Sequence, residues 1–160
     1  MNTLTDGQKA YIAGFVDGEG CVSITKWQGK NNRTPVYALN LIVSQSGIIP
    51  LATLMNMTGV GSIHRKKEDP ENCAWRINPR NAAALLKDIL PYLIIRKEEA
   101  ELAIEFQSKM GTKNLGGQGY VVPQSVVAER EFYYQEMHRL KGSSGWRGVR
   151  RKAFDGEFSI

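Results

Sequence analysis

Residues 12–20 read Ile-Ala-Gly-Phe-Val-Asp-Gly-Glu-Gly. As a short apolar helix, this stretch places Gly14 and Gly18 on one face, because residues four apart are neighbours on a helix surface. With no side chain at either position, a second helix can approach backbone to backbone, as small-residue helix pairs do. The same stretch carries Asp17 and Glu19 at its end. A carboxylate at a helix C-terminus opposes the dipole at a cost of about 0.3–1 kcal/mol. Helix packing alone gives no reason for that cost, whereas acids that hold divalent cations do. The plainer alternative is a helix cap and turn leading into a strand.

Working outward, Asp6 can cap this first helix, which runs from about Gly7 to Gly18. Residues 20–28 form a strand with Val22 and Ile24 on one face and Ser23, Thr25 and Trp27 on the other. After a polar turn, residues 35–45 alternate, with Tyr37, Leu39, Leu41 and Val43 opposite Val36, Ala38, Asn40, Ile42 and Ser44. Period-two order of this kind marks a sheet with one buried face. A short helix at Ile48–Met57, a strand from Gly59 and Gly61 to about Lys67, and a strand at Cys73–Asn78 follow. Asn78-Pro79 then starts a helix that Pro91 ends. Further helices cover Arg96–Lys109 and Gln124–Leu140. The glycine-rich connection from Gly111 to Pro123 lacks the strand–loop–helix setting and lysine of a phosphate cradle. The order is α-β-β-α-β-β-α with added helix. It makes one domain over residues 1–140 and a basic tail over 141–160 that carries Arg147, Arg150, Arg151 and Lys152.

The chain has 160 residues, with 21 Lys and Arg against 16 Asp and Glu, and a formal charge of +5 that favours an anionic partner. Cys21 and Cys73 lie far apart without metal-ligand spacing. His64 and His138 are the two histidines, so neither a histidine-based metallonuclease nor a Ser/His/Asp or Cys/His triad is indicated. No leader pattern is evident at the start, and no apolar run approaches the roughly 18 residues of a membrane span. The expectation is a soluble, intracellular protein of the cytoplasm or nucleoid of a prokaryote, or of an organelle matrix, with no membrane partner.

Nearly all nine positions of residues 12–20 resemble the LAGLIDADG motif of homing endonucleases. Ile12, Phe15 and Val16 stand as apolar variants, Gly18 fills the small position, and Glu19 stands where the family carries Asp or Glu. Tyr11 and Cys21-Val22-Ser23-Ile24 also fit, and a looser resemblance runs to about residue 110. The resemblance implies that family's α+β fold: a curved antiparallel sheet saddling DNA, with helices on the opposite face. It also implies an intron-encoded endonuclease that cuts both strands of a long pseudo-palindromic DNA site across the minor groove. Only one motif copy occurs, whereas the family's active centre takes two. Homodimerisation through Ile12, Ala13, Gly14, Asp17 and Gly18 is therefore expected, and a two-fold dimer is the simplest closed assembly.

On the same resemblance, Glu19 of each subunit and the Gly18 carbonyl hold Mg2+, and Mn2+ or Ca2+ can occupy the same sites; no small-molecule cofactor is implied. Magnesium takes oxygen ligands and keeps several waters, so few carboxylates are needed. Asp17, on a different helix face, is expected to make structural hydrogen bonds. Catalytic roles are implied for Gln45, at the end of the second strand, and for Arg96, after Pro91-Tyr92-Leu93, with Lys97 as the neighbouring candidate. Arg96 cannot act as a base, because a guanidinium does not lose its proton. Strand parity puts Gln45 with Tyr37 and Leu41 toward the core, so the strand is expected to end or bend at Ser44.

Parity alone lists the face opposite the apolar one: Ser23, Thr25, Trp27, Val36, Ala38, Asn40, Ile42, Ser62, His64, Lys66, Ala74 and Arg76. The resemblance implies that this face meets DNA; the plainer alternative is a solvent-exposed sheet face. Asn40 can pair bidentately with adenine, Arg76 or Lys66 with guanine, and Val36 or Ile42 can touch thymine methyls. Lys26, Lys30, Arg33, Arg65 and Lys67 flank the strands as candidate phosphate contacts. The alternative functions are a cleavage-deficient relative acting as an RNA-splicing maturase or DNA-binding regulator, and a protein using its glycines for dimerisation alone.

Overall fold

The structure is a computed structural model that describes residues 1–30, 34–65, 67–110 and 122–144. The elements run α1 (Asp6–Glu19), β1 (Gly20–Trp27), β2 (Val36–Ser46), α2 (Ile49–Thr58), β3 (Ser62–Arg65), β4 (Asn72–Ile77) and α3 (Pro79–Ile89). A single 3-10 turn over Leu90–Tyr92 leads toward α4 (Lys97–Lys109), and α5 (Gln124–Ser144) follows. This is the expected α-β-β-α-β-β-α order with added helix. The four antiparallel strands form one sheet in the order β1-β2-β4-β3. Arg33, Lys66, the glycine-rich stretch 111–121 and the tail 145–160 lie outside the described residues.

The apolar parity set forms the core. Val22, Ile24, Tyr37, Leu39, Leu41, Val43, Cys73, Trp75 and Ile77 are all buried in one cluster with side chains of the helices. A half-buried sheet fixes its register in this way, since a one-residue slip would turn every one of these side chains to solvent. Trp75 is fully buried, and its indole N–H donates to the Val60 carbonyl at 3.0 Å, so its polar atom is satisfied. Among the described residues no helix is long and apolar enough to cross a membrane.

Several boundaries differ from the expectation. Thr5, not Asp6, caps α1: its hydroxyl accepts from the Gln8 N–H at 3.3 Å, and Gln8 Oε1 accepts from the Thr5 N–H at 2.9 Å. Two orphan donors are met at once, which a lone Asp6 cap would not do. The last helix passes Leu140 and ends at Ser144, so the first residues assigned to the tail are helical. That helix is held down by Tyr133 and Met137, both buried, and by a polar cluster at Glu131. Tyr37 donates its hydroxyl to Glu131, and Lys26 Nζ lies 2.8 Å from the same carboxylate. These donors hold the Glu131 carboxyl down from the ordinary 4.5 to about 2; the Lys26 bond is the largest influence, then the Tyr37 bond. Lys26 therefore belongs to the helix-covered side, over the Tyr37 and Tyr134 rings, and is withdrawn from the phosphate-contact set.

Candidate functional site

The end of α1 is built by residues far apart in sequence. Asp17 Oδ2 accepts the Ile94 N–H at 2.8 Å and Asp17 Oδ1 accepts the Arg96 N–H at 2.9 Å. One carboxylate thus ties the segment before α4 to the last turn of α1, with both oxygens engaged. This is the structural role expected for Asp17, and it separates the two acids of the motif, because Glu19 is exposed at the helix end. The Arg96 side chain returns to the same helix: Nε donates to the Val16 carbonyl at 3.1 Å. A guanidinium on the last carbonyls of a helix offsets the negative end of the dipole. The opposition between Asp17, Glu19 and the helix end is thereby relieved inside one chain. Lys97, the neighbouring candidate, is exposed at the start of α4. Arg96 Nη1 also lies 3.5 Å from Glu99 Oε1, and Glu99 is buried. Glu99 is not among the site residues expected from the sequence, although an Arg-x-x-Glu spacing at a helix start marks the pair.

The motif glycines serve different ends. A Cβ on Gly20 would overlap the Val16 carbonyl, so glycine is required where β1 leaves α1. A Cβ on Gly14 or Gly18 would meet nothing within 4 Å. Within one chain neither residue has a packing reason to be glycine, even though mid-helix glycine costs about 1 kcal/mol relative to alanine. Gly7, Ala10, Tyr11, Gly14 and Gly18 form the exposed stripe of α1. Ile12 and Ala13 do not belong to it: both are 0% exposed in the chain's own core, and so leave the expected dimer interface. Asp17, committed to Ile94 and Arg96, is likewise occupied within its own chain.

The expected end or bend of the strand at Ser44 is absent. β2 pairs with β4 through Ser46, and Gln45 lies opposite Cys73. Gly20 pairs with Val43, so Gln45 stands two residues beyond the point where α1 hands over to β1, on the helix-covered side. The register places it at the α1 end of the sheet. Gln45 is half-buried and its Oε1 accepts the Ser46 N–H at 3.0 Å.

The opposite sheet face brings the parity set together. Ser23 pairs with Asn40, Thr25 with Ala38 and Trp27 with Val36, while Ile42 and Ser62 both pair with Arg76 and His64 with Ala74. Trp27 is 63% exposed and Val36 47% exposed, a bare apolar pair at the far end of the β1–β2 ribbon. Arg76, His64 and Thr25 are exposed as well. The Thr25 hydroxyl donates to the Ala38 carbonyl at 3.2 Å, and Ser62 Oγ and His64 Nε2 are 2.9 Å apart. Lys30, Arg65 and Lys67 are exposed at the margins.

Among the described residues no group of three His, Cys, Asp or Glu could hold a metal within a single chain. What α1 offers is one exposed carboxylate, Glu19, at a helix end whose last carbonyls lack intrahelical donors. These hard oxygen donors suit magnesium or calcium and are too few to form a cage alone.

Residues 12–100, more than half of the chain, match the family model of the LAGLIDADG endonucleases. The chain belongs to the LAGLIDADG endonuclease family. Membership supports nuclease activity. No protein of curated function matches the chain directly. The fold is similar to that of the homing endonuclease I-CvuI, solved with a DNA target in the presence of Mg, with a TM-score of 0.70 and 21% identity over 83% of this chain and 81% of that one. It is similar also to the archaeal intron-encoded homing endonuclease I-Vdi141I complexed with DNA (TM-score 0.71, 15% identity, 84% of each chain). Against the LAGLIDADG homing endonuclease I-GzeII in complex with its DNA target, the chain covers 44% of the longer protein, with a TM-score of 0.65 and 17% identity.

Proposed function

We propose that this chain is a site-specific, intron-encoded DNA endonuclease. It acts as a two-fold homodimer on double-stranded DNA and uses divalent metals. The carrying observation is the bare stripe of α1, where Gly14 and Gly18 stand open beside Glu19 and the anchored Arg96. Two copies packed on that stripe bring two Glu19 carboxylates together. Like charges so placed repel each other unless cations lie between them.

Glu19 and the Gly18 carbonyl are the groups that would hold the metal, sharing it with phosphate oxygens. Bound divalent cations supply an activated water, neutralise developing charge and assist the leaving oxygen. Arg96 presents a fixed positive charge toward the scissile phosphate, and Gln45 orders water at the α1 end of the sheet. Thr25, Trp27, Val36, Asn40, Ile42, His64 and Arg76 supply the reading face, joined by Ser23 and Ala38, with Lys30 at the margin. Strand lengths support a major-groove fit. The 11 residues of β2 span roughly 36 Å, about one turn of duplex. Each subunit then reads on the order of 10 bp, and a dimer on the order of 20 bp. Glu19, Gln45 and Arg96 all remain in the sequence, which favours cleavage over the maturase or regulator alternative.

The test is Glu19→Gln. It should retain DNA affinity and lose cleavage of both strands in magnesium. Cleavage at the wild-type rate would remove Glu19 from the reaction.

A further inference from the structure

We propose that Glu99 is a positioning residue for the cleavage reaction, acting through Arg96. The inference rests on the endonuclease reading above. Glu99 is 2% exposed, and its carboxylate lies 3.5 Å from Arg96 Nη1 one turn into α4. It is a charged group among buried neighbours: Ala100, Ala103 and Phe106 of the same helix belong to the core. A charge held that deep is costly unless it is paired, and an apolar residue would commonly serve packing as well or better. In some proteins such a pair instead fixes a single geometry, and here the buried Glu99 meets a half-buried Arg96.

That geometry is directed at the site. Arg96 is the N-cap residue of α4 and Glu99 the third residue of the helix. In a capping box the third residue would reach back to the cap N–H. Here that N–H donates to Asp17 Oδ1, and the Glu99 carboxylate meets the guanidinium of the same cap residue. Arg96 is therefore held at its backbone by Asp17, at Nε by the Val16 carbonyl and at Nη1 by Glu99. A guanidinium has five N–H donors in a rigid fork. Fixing two sides of the fork fixes the direction of the rest, beside the end of α1 that carries Gly18 and Glu19. Arginine has a long, rotatable stem, so without Glu99 the guanidinium keeps its charge and loses its aim. Small misplacements of a charged group at a reacting centre cost rate far more than binding.

The test uses Glu99→Gln, which preserves shape and removes the charge, in the full chain. Single-turnover cleavage of the duplex selected as its substrate should fall by about 10- to 100-fold, with Kd for that duplex changed less than about twofold. In an Arg96→Gln background the same substitution should change the rate less than about twofold, because a residue that acts through another has nothing left to act on. A wild-type rate for Glu99→Gln, or an undiminished loss in the Arg96→Gln background, overturns the proposal. The Arg96 Nε–H signal of the DNA-free protein provides a reading independent of cleavage. It should be sharp and slow to exchange in the wild type, and broadened in Glu99→Gln. An unchanged signal refutes the hold of Glu99 on Arg96 alone, whereas a wild-type chain that cuts no DNA refutes the endonuclease reading itself. If Glu99→Gln melts below the assay temperature, Glu99→Asp gives the same readings, since it keeps the charge and shortens its reach by one methylene.

Discussion

Replacing Gly14 by leucine separates the needs of one chain from those of a pair. In a single chain the position is exposed and a Cβ meets nothing within 4 Å. Leucine is a better helix former than glycine by about 0.8 kcal/mol. A domain of this size gains about 2–4 °C in Tm per kcal/mol. The isolated variant should therefore melt at or slightly above the wild-type temperature when both are dilute. In a dimer closed on the bare stripe of α1, each new side chain meets the partner's backbone, and symmetry applies the cost twice. Overpacking costs about 1–3 kcal/mol per site, so about 2–6 kcal/mol per dimer, or about 30-fold to more than 10⁴-fold in Kd. Sedimentation equilibrium over a concentration series, paired with melts of the same samples, reads both effects. A variant that dimerises as tightly as the wild type refutes the placement of the interface on Gly14. A variant that fails to fold as a monomer refutes the claim that the position is open.

Further outcomes follow from other contacts. Asp17→Asn replaces one of two accepting oxygens with a donor that faces a backbone N–H, and should cost about 1–3 kcal/mol in urea unfolding. Activity should fall with it, since the same contacts carry Arg96 to α1. Glu131 has a depressed folded-state pKa of about 2, so its contribution is complete above the ordinary 4.5 and is lost as pH falls from there toward 2. Thermal melts of the wild type should therefore drop more steeply over that range than those of Glu131→Gln; parallel profiles would contradict the pairing. Arg76→Ala should relax base preference at a single position in each half-site and cost about 1–3 kcal/mol in affinity for the preferred sequence, read by binding to a panel of singly substituted duplexes.

The outer sheet face was legible because side chains alternate with period two and one face had to be buried. With Tyr37, Leu39, Leu41 and Val43 in the core, Val36, Ala38, Asn40 and Ile42 must stand opposite them. Lys26 breaks the reading for a different reason. Its parity matches Ile24 on the covered face, but its partner Glu131 lies on α5, and no local pattern links the two. Asp17 makes the structural hydrogen bonds expected of it, but its partners are N–H groups 77 and 79 residues away, which no local pattern names. Thr5 and Gln8 have capping-box spacing, but Asp6 is also a good cap residue by type, so composition alone does not separate the two positions. Ile12 and Ala13, expected on the interface with Gly14, are buried in the chain's own core. On a helix, consecutive residues do not share a face, and the stripe runs instead through Tyr11, Gly14 and Gly18. The parity of Gln45 holds, but the end or bend expected at Ser44 does not occur, because β2 stays paired with β4 through Ser46.

Selection of cut duplexes from a randomised DNA library with magnesium present, by wild-type protein and by Glu19→Gln in parallel, tests the central claim most directly. Two-fold-related half-sites totalling on the order of 20 bp should be recovered with the wild type, and none with the variant. Recovery of no cut sequence by the wild type, or of the same sequences with Glu19→Gln, would contradict it.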